Sequence, residues 1–253
     1  MYDAASPHTL VILFKGMVDE NETNEFIKLL NDEKIKAKLF LYTGGGFDID
    51  TYYWIAQQLE QEYLFFLNSN SVILHDNWLL AFTRPLTRNT GVIAATASYQ
   101  SYVSAVFQKH SLKYEYAQGW LFNFRKYKLL LKAFFYWRLL FPSFPNPHVR
   151  TNAFIINRKL LLSLKKRKLE TKMDAFRFES GRDGFSAQLI KKGYEILVVD
   201  RNGKTYRQNE WPVSETFRIG RQQNLLIADN QTALYDTGTD AEKRLMTKIT
   251  WGV

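Results

Sequence analysis

The 253-residue chain contains no cysteine. This absence excludes a disulfide framework, a thiolate metal site and a cysteine nucleophile, and it is compatible with a reducing compartment. The amino-terminal residues 1–9 also lack the basic segment that precedes the apolar core of a secretory signal. We therefore expect a cytoplasmic protein.

Long apolar runs without charges are also lacking. The most apolar stretch, residues 119–141, carries five cations, whereas a membrane-spanning helix needs about 20 predominantly uncharged residues. Two interpretations stay open. The stretch is an amphipathic helix lying on an anionic membrane, at its inner face, with Trp120 and Trp137 among the headgroups, or it is a partly buried helix whose lysines extend to solvent.

Acidic residues are outnumbered by basic ones, and the net charge is +9. Such a balance favours an anionic partner, for which a phosphorylated donor, an anionic membrane surface and nucleic acid all qualify. No recognisable nucleic-acid-binding motif accompanies the charge, so we do not expect nucleic acid as a partner. The 46% of hydrophobic residues suffices for a folded domain.

In the first hundred residues, short apolar runs alternate with segments of helical periodicity. The predicted strands are Leu10–Phe14, Ala37–Tyr42, Tyr63–Leu67 and Gly91–Ala97, and the predicted helices are Asp19–Leu30, Ile49–Glu60 and Trp78–Phe82. This alternation predicts an α/β fold, an open and mostly parallel sheet with helices on both faces. Ligands of such sheets bind outside the carboxyl ends of the strands, so the residues that follow each strand should face one cleft.

After the proline-rich residues 141–147, the pattern predicts a buried strand over Asn152–Ile156 and helices over Arg158–Leu164 and Asp183–Lys192. Glu195–Val199, followed by Asn202-Gly203, begins a predicted β-hairpin. The prolines themselves exclude helix and central strand, and they divide the chain into two halves.

The polar triplet Asn68-Ser69-Asn70 ends a predicted strand and is followed by the Trp78 helix. This arrangement resembles the fourth-strand region of GT-A (family-2-like) glycosyltransferases, where the triplet is Asp-x-Asp and holds a divalent metal against a nucleotide-sugar diphosphate. The resemblance implies donor binding by the triplet. Neutral amide oxygens are weak ligands for Mg²⁺ or Mn²⁺, which leaves Asn70 and Asp76 as weak metal candidates; Asp76 is alternatively a helix cap.

The glycine-rich turn Thr43-Gly44-Gly45-Gly46-Phe47-Asp48 follows the second predicted strand. Its position resembles that of the turn that reads the nucleobase in the same enzymes, which implies that Thr43, Gly44, Gly45 and Asp48 bind the donor. Three adjacent glycines permit close backbone approach and positive φ. They match neither the dinucleotide-binding fingerprint nor the P-loop. Asp48 either contacts the base or ribose or caps the next helix.

The segment Thr171–Tyr194 contains an acidic residue, an aromatic-Glu pair and a helix that ends in Lys-Gly-Tyr. It resembles the part of inverting GT-A enzymes that carries the catalytic base, so Glu179, Asp183 and Asp174 are the candidates in that order. A carboxylate there would take the proton from the attacking acceptor hydroxyl. Asp183 is alternatively a helix N-cap and Asp174 a turn residue.

Four further runs, Gly91–Tyr99, Phe144–Phe154, Trp211–Arg218 and Asp229–Thr232, look like a set of bacterial glycosyltransferase-like proteins, and the resemblance covers about residues 9–236. It implies a donor site in which arginines replace the metal on the diphosphate, and an acceptor wall of polar and aromatic groups. The arginines are Arg150, Arg182 and Arg218, and the acceptor candidates are Asn146, His148, Asn152 and Trp211. The polar groups alternatively form a tightly bonded loop.

Taken together, the resemblance implies a glycosyltransferase of the hexosyltransferase class. It would move a sugar from a nucleotide-sugar to the hydroxyl of a glycan or lipid-linked acceptor, in bacterial surface polysaccharide synthesis. Residues 1–236 would form the domain, with a nucleotide-binding half at about 9–118, an acceptor half at about 142–236 and a tail at 237–253. The alternative is a catalytically silent module that binds a nucleotide-sugar or a glycan.

Overall fold

The computed structural model describes residues 2–16, 19–104 and 135–253. Most of the 119–141 stretch, including Trp120, lies outside these ranges, so the membrane-surface interpretation stays a prediction. Residues 135–140 are helical. Within the described ranges, no helix has the length and apolar character needed to cross a membrane.

Strands and short helices alternate along the chain. The strands are β1 (Leu10–Lys15), β2 (Ala37–Tyr42), β3 (Tyr63–Leu67), β4 (Val72–Ile73), β5 (Thr90–Ala94), β6 (Ala97–Ser98), β7 (His148–Val149), β8 (Ala153–Asn157), β9 (Glu195–Val199), β10 (Thr205–Tyr206) and β11 (Ile227–Ala228). The α-helices are α1 (Glu20–Asp32), α2 (Asp48–Gln58), α3 (Trp78–Thr83), α4 (Arg158–Ser163), α5 (Lys172–Ser180), α6 (Phe185–Lys191), α7 (Asn230–Thr237) and α8 (Asp240–Trp251), and a 3₁₀ helix spans Gln208–Ser214. The fold is therefore α/β, as predicted.

The main sheet has five strands in the order β10-β9-β5-β8-β3. Only β5 and β9 pair in parallel, because β8 runs antiparallel to both of its neighbours and β10 runs antiparallel to β9. The prediction of a mostly parallel arrangement is wrong for this sheet. A fully buried strand shows the same apolar run in either direction, so its sequence does not reveal the direction of pairing.

Strands β3 and β5 nevertheless share one direction, because each is antiparallel to the β8 that lies between them, and β9 shares it too. The carboxyl ends of these three strands consequently meet at one edge of the sheet, where β8 begins. Asn68 follows β3, Thr96 lies just beyond β5, and Asn152 precedes β8. We call this the carboxyl edge.

Hydrophobic side chains cover both faces of the main sheet. Val92, Phe154 and Ile196 belong to one buried cluster with residues of α2, α4 and α6, and the alternate residues Ile93 and Ile155 belong to a second cluster on the other face with α3 and β11. Burying each large side chain contributes roughly 1.5–3 kcal/mol. The predicted helices on both faces are confirmed.

Strands β1 and β2 form a separate parallel pair. A cavity of about 670 Å³ is lined by side chains of both β1 and β3 and by α2. Lys15, Asp48 and Asn68, which lie at strand or helix ends, line it as well. The cavity thus lies between the β1–β2 pair and the main sheet.

The predicted tail, residues 237–253, contains helix α8. Thr239 caps this helix by accepting the backbone N–H of Glu242. At its other end Trp251 is buried, and its indole Nε1 donates to the carbonyl of Phe217 at 2.7 Å. The helix thus anchors the loop that carries Phe217 and Arg218.

Candidate functional site

The Asn68-Ser69-Asn70 triplet lies at the carboxyl edge. The backbone N–H of Asn68 donates to the carbonyl of Asn152 at 3.0 Å, which joins the ends of β3 and β8. The Asn68 amide oxygen accepts the backbone N–H of Asn70 and the hydroxyl of Ser71. It therefore closes a local turn, while Ser69 and Asn70 are exposed.

A buried ion pair lies beside this turn. Strands β4 and β11 pair so that Val72 faces Ala228, which brings Asp229 to the residues that follow the triplet. The Asp229 carboxylate contacts the Arg150 guanidinium at 2.6 Å, with side-chain exposures of 1% and 16%. Burial alone would raise the pKa of Asp229, but the charge and hydrogen bond of Arg150 and the backbone N–H groups at the start of α7 hold it below its usual range.

A second arginine, Arg218, belongs to the same cluster. The guanidinium carbons of Arg150 and Arg218 lie 4.4 Å and 4.9 Å from the centroid of the Phe217 ring. Burial and the charge of Arg150 lower the pKa of Arg218 to about 10, although Asp229 acts in the opposite direction. Two guanidinium groups thus lie against one phenylalanine ring, where Arg150 pairs directly with Asp229 and Arg218 donates to Gln231 instead.

Two donors in this cluster have no partner in the part of the chain that the structure describes, namely Asn152 Nδ2 and Arg218 Nε. The Asn152 amide oxygen is occupied, since it accepts the Thr96 hydroxyl at 3.1 Å. That hydroxyl lies 3.5 Å from Arg150 Nη1. A buried donor without an acceptor costs about 1–3 kcal/mol. We call Arg150, Asn152 and Arg218 the arginine site; its free donors suit the oxygens of an anion.

Arg218 also has a left-handed backbone, with φ of 47°. This conformation is unfavourable for a residue with a side chain, and such strain persists only where surrounding contacts impose it. The backbone N–H of Arg218 donates to the side-chain oxygen of Gln222, and its guanidinium donates to Gln231 at 2.6 Å. The loop therefore holds Arg218 in one orientation.

Glu179 and His148 lie next to the arginine site. Glu179 Oε1 accepts the backbone N–H of Thr151 at 2.8 Å and its hydroxyl at 2.6 Å. The carbonyl of Thr151 accepts the hydroxyl of Tyr52 at 3.1 Å. His148 is buried, and its Nδ1 lies 2.8 Å from the carbonyl of Asn146. Glu179 therefore holds the turn that carries Arg150 and Asn152.

The other two acidic candidates lie apart from this group. Asp174 belongs to the capping box of α5, where its carboxylate accepts the backbone N–H and the hydroxyl of Thr171. Asp183 pairs with Arg167 and Arg177. The N-cap interpretation of Asp183 is wrong, because Gly184 occupies that position at α6.

Three of the remaining candidates make structural contacts. Arg182 donates from Nε to the carbonyl of Arg138 at 3.0 Å, away from the other two arginines. Asn146 Nδ2 donates to the carbonyl of Ser180 at 2.8 Å. Trp211 has no exposed surface and belongs to the core cluster on one face of the main sheet. The structure does not bring these three residues together with the arginine site.

In the glycine-rich turn, Thr43, Gly44 and Gly45 are exposed. Gly46 alone of its three glycines has a positive φ, of 93°. Asp48 is the first residue of α2 rather than its cap, which is Phe47, and its carboxylate lies 3.9 Å from Lys15 Nζ. The capping interpretation of Asp48 is wrong.

Capping is also wrong for Asp76, since Asn77 is the N-cap of α3. The carboxylate of Asp76 instead accepts the backbone N–H of Asp3 at 2.7 Å and thereby fixes the amino-terminal segment. Across residues 2–16, 19–104 and 135–253, no group of three or more histidine or acidic side chains is arranged to hold a metal ion.

Sequence reasoning missed the roles of three residues at the site: Asp229, Phe217 and Thr96. The run Asp229–Thr232 looked unusual but had no assigned role. Its Asp-x-x-Thr spacing is a capping-box pattern, and the structure forms that box at the start of α7. A comparison of the chain with protein-family models, curated proteins and solved structures found no match.

Proposed function

We propose that this protein transfers a sugar from a nucleoside-diphosphate donor to a hydroxyl acceptor, with the arginine site holding the diphosphate. The observation that supports this most is the pair of neighbouring guanidinium groups, Arg150 and Arg218, with two unpartnered donors beside them, Arg218 Nε and Asn152 Nδ2. Guanidinium groups and free N–H donors are complementary to phosphate oxygens.

Sugar transfer needs such a charge, because the leaving nucleoside diphosphate gains negative charge as its bond to the sugar breaks. Arginine supplies a permanent cation and a planar set of donors that matches phosphate geometry. Arg150 and Arg218 are held rigidly by Asp229 and by the loop around Gln222. They would do in this protein what a divalent metal does in other transferases.

The position of the site supports the same proposal. The arginine site lies where β3 and β5 end and β8 begins. The carboxyl ends of parallel strands, here β5 and β9, form the usual ligand-binding edge of α/β sheets. The donor would then extend from this site toward the Asn68-Ser69-Asn70 triplet and the Thr43–Asp48 turn, as in a GT-A arrangement. Of the three acidic candidates, we keep Glu179 at the reaction centre.

A binding assay tests the donor site. Wild-type protein is titrated with UDP, GDP, dTDP and their sugars in EDTA and again in Mn²⁺, and release of the nucleoside diphosphate is followed with hydroxyl acceptors. We expect at least one nucleotide to bind in EDTA, and its sugar to be transferred or hydrolysed. A protein that binds none of these nucleotides under either condition would contradict the proposal.

The second candidate function is a catalytically silent module that binds a nucleotide-sugar. The position of Asn68 favours it, since the amide oxygen that replaces a metal-binding carboxylate is already engaged by Asn70 and Ser71. The same titration separates the two functions. Nucleotide binding without transfer to any acceptor and without donor hydrolysis would support the silent module.

A further inference from the structure

The tautomer of His148 follows from one contact. Its Nδ1 lies 2.8 Å from the carbonyl oxygen of Asn146, and a carbonyl can only accept. Nδ1 therefore carries the proton, and the lone pair of the neutral ring is on Nε2. Nε2 forms no hydrogen bond with any residue that the structure describes.

The backbone segment that carries the ring is also held in place. Strand β7 pairs with β6 so that His148 faces Ser98, and the backbone N–H of Val149 donates to the hydroxyl of Ser186 at 3.0 Å. His148 lies two residues before Arg150, at the carboxyl edge. A ring with an unbonded Nε2, within reach of the charges of Glu179 and Arg150, can serve as a proton acceptor beside the arginine site.

Two charged groups act on the ring, Glu179 from α5 and Arg150 from its own segment. Burial lowers the pKa of His148; the hydrogen bond to Asn146 and the charge of Glu179 oppose that effect, whereas Arg150 adds to it. The ring is consequently neutral at pH 7 and able to accept a proton. The Glu179 carboxylate would stabilise the imidazolium that forms.

The Oε1 atom of Glu179 is already engaged, because it accepts two hydrogen bonds from Thr151. An imidazole whose Nδ1–H is held by an acceptor, with Nε2 taking the proton of a hydroxyl nucleophile, is a recurrent arrangement. Here the Asn146 carbonyl is that acceptor, and Glu179 acts on the ring through its charge. The sequence predicted a role for His148 only in acceptor binding, and it predicted Glu179 as the catalytic base.

We propose, on the basis of the sugar-transfer function above, that His148 Nε2 is the catalytic base and that Glu179 is a positioning residue. The acceptor oxygen attacks the anomeric carbon, and the bond from that carbon to the diphosphate oxygen breaks. The electron pair leaves with the nucleoside diphosphate, and the hydroxyl proton passes to Nε2. This single displacement inverts the anomeric configuration.

The test compares the pH dependence of kcat/KM for wild type, H148Q and E179Q with the donor found by titration. For wild type we expect kcat/KM to fall tenfold per pH unit on the acid side, below the folded-state pKa of His148, which burial places under the ordinary value of about 6.5. H148Q should lose about 10²–10⁴-fold in kcat and lose this acid limb. E179Q should keep the limb but shift it to lower pH, because the charge that favours the imidazolium is gone.

His75 offers a control histidine, since it lies between β4 and α3 and does not line the cavity between β1 and β3. H75Q should retain the wild-type rate and profile. An H148Q protein that keeps the acid limb and the rate, or a product with retained anomeric configuration, would overturn the assignment. If the acid limb is lost in E179Q but retained in H148Q, Glu179 rather than His148 is the catalytic base.

Two further measurements test the role of His148 independently of whether the variants fold and of whether the proposed function is correct. H148Q should bind the nucleoside diphosphate within about threefold of wild type, which shows that the arginine site is intact. Nitrogen NMR of the wild-type ring should show protonation at Nδ1 and a free Nε2 above pH 7, and the opposite tautomer would refute the inference. A wild-type protein without nucleotide binding or transfer would refute the proposed function, and the inference with it.

Discussion

Two arginine–aspartate pairs in this molecule have the same chemistry and different surroundings. In the Arg150–Asp229 pair the side chains are 16% and 1% exposed, whereas in the Arg167–Asp183 pair they are 63% and 42% exposed. A buried charge depends on its partner, while an exposed one is solvated by water and screened by salt. Both pairs contain an aspartate, so burial is what distinguishes the Arg150–Asp229 pair from the exposed Arg167–Asp183 pair.

The largest expected effect comes from breaking the buried pair. Arg150→Met leaves the Asp229 carboxylate buried without its cation, which should cost about 3–5 kcal/mol in the free energy of unfolding. Arg167→Met is the matched control on the exposed pair and should cost less than about 1 kcal/mol. Urea denaturation at pH 7.5 measures both. Equal losses for the two variants would show that burial does not govern the difference.

The second effect concerns anion binding rather than stability. Arg218→Met should weaken the binding of a nucleoside diphosphate at least tenfold, or about 1.4 kcal/mol, because it removes a desolvated cation and a donor whose Nε is unpartnered. Arg221 lies three residues away and is exposed, so Arg221→Met should bind within about twofold of wild type. Isothermal titration calorimetry provides the measurement, and equal affinities for both variants would refute the role of Arg218.

The third and smallest effect is the acid dependence of stability. The pKa of His148 is lowered in the folded state by burial, so the unfolded chain binds the proton more tightly. Stability should fall as the pH drops below the ordinary value of about 6.5 and should level off below the folded-state pKa. His148→Gln should lose this part of the slope in denaturation curves between pH 8 and pH 5.

Asp229 also makes the free energy of unfolding fall as the pH decreases, but over a lower pH range. Its pKa is depressed, so its contribution is present above the ordinary carboxyl range and is lost as the pH falls through the folded value. An acid slope that is unchanged in His148→Gln would contradict the buried, neutral ring.

Much of the fold could be predicted from local sequence patterns. The predicted bounds of β2 and β3 are those observed, and α4 differs from its prediction by one residue, because apolar runs and helical periodicity are local signals. The direction of β8 could not be predicted in this way. It depends on how the chain returns to the sheet after residue 95, and an all-apolar strand reads alike in both directions.

The candidate site was less predictable. Arg150, Arg218 and Asn152 were identified as single residues, but their association depends on Asp229, which lies 79 residues after Arg150 in the sequence. Side chains so far apart are brought together by the β4–β11 ladder, each strand of which has only two residues. Asp183 and Asp174 ranked behind Glu179 as candidate bases in the sequence, but only the structure shows that Asp183 forms surface pairs and that Asp174 caps a helix.

Crystals soaked in EDTA with the nucleotide-sugar that binds best in solution test most directly whether the arginine site binds its diphosphate. We expect phosphate density within hydrogen-bonding distance of Arg218 Nε and Asn152 Nδ2, with the sugar toward His148. Density for the nucleotide at another surface, with these two donors still unpartnered, would contradict it.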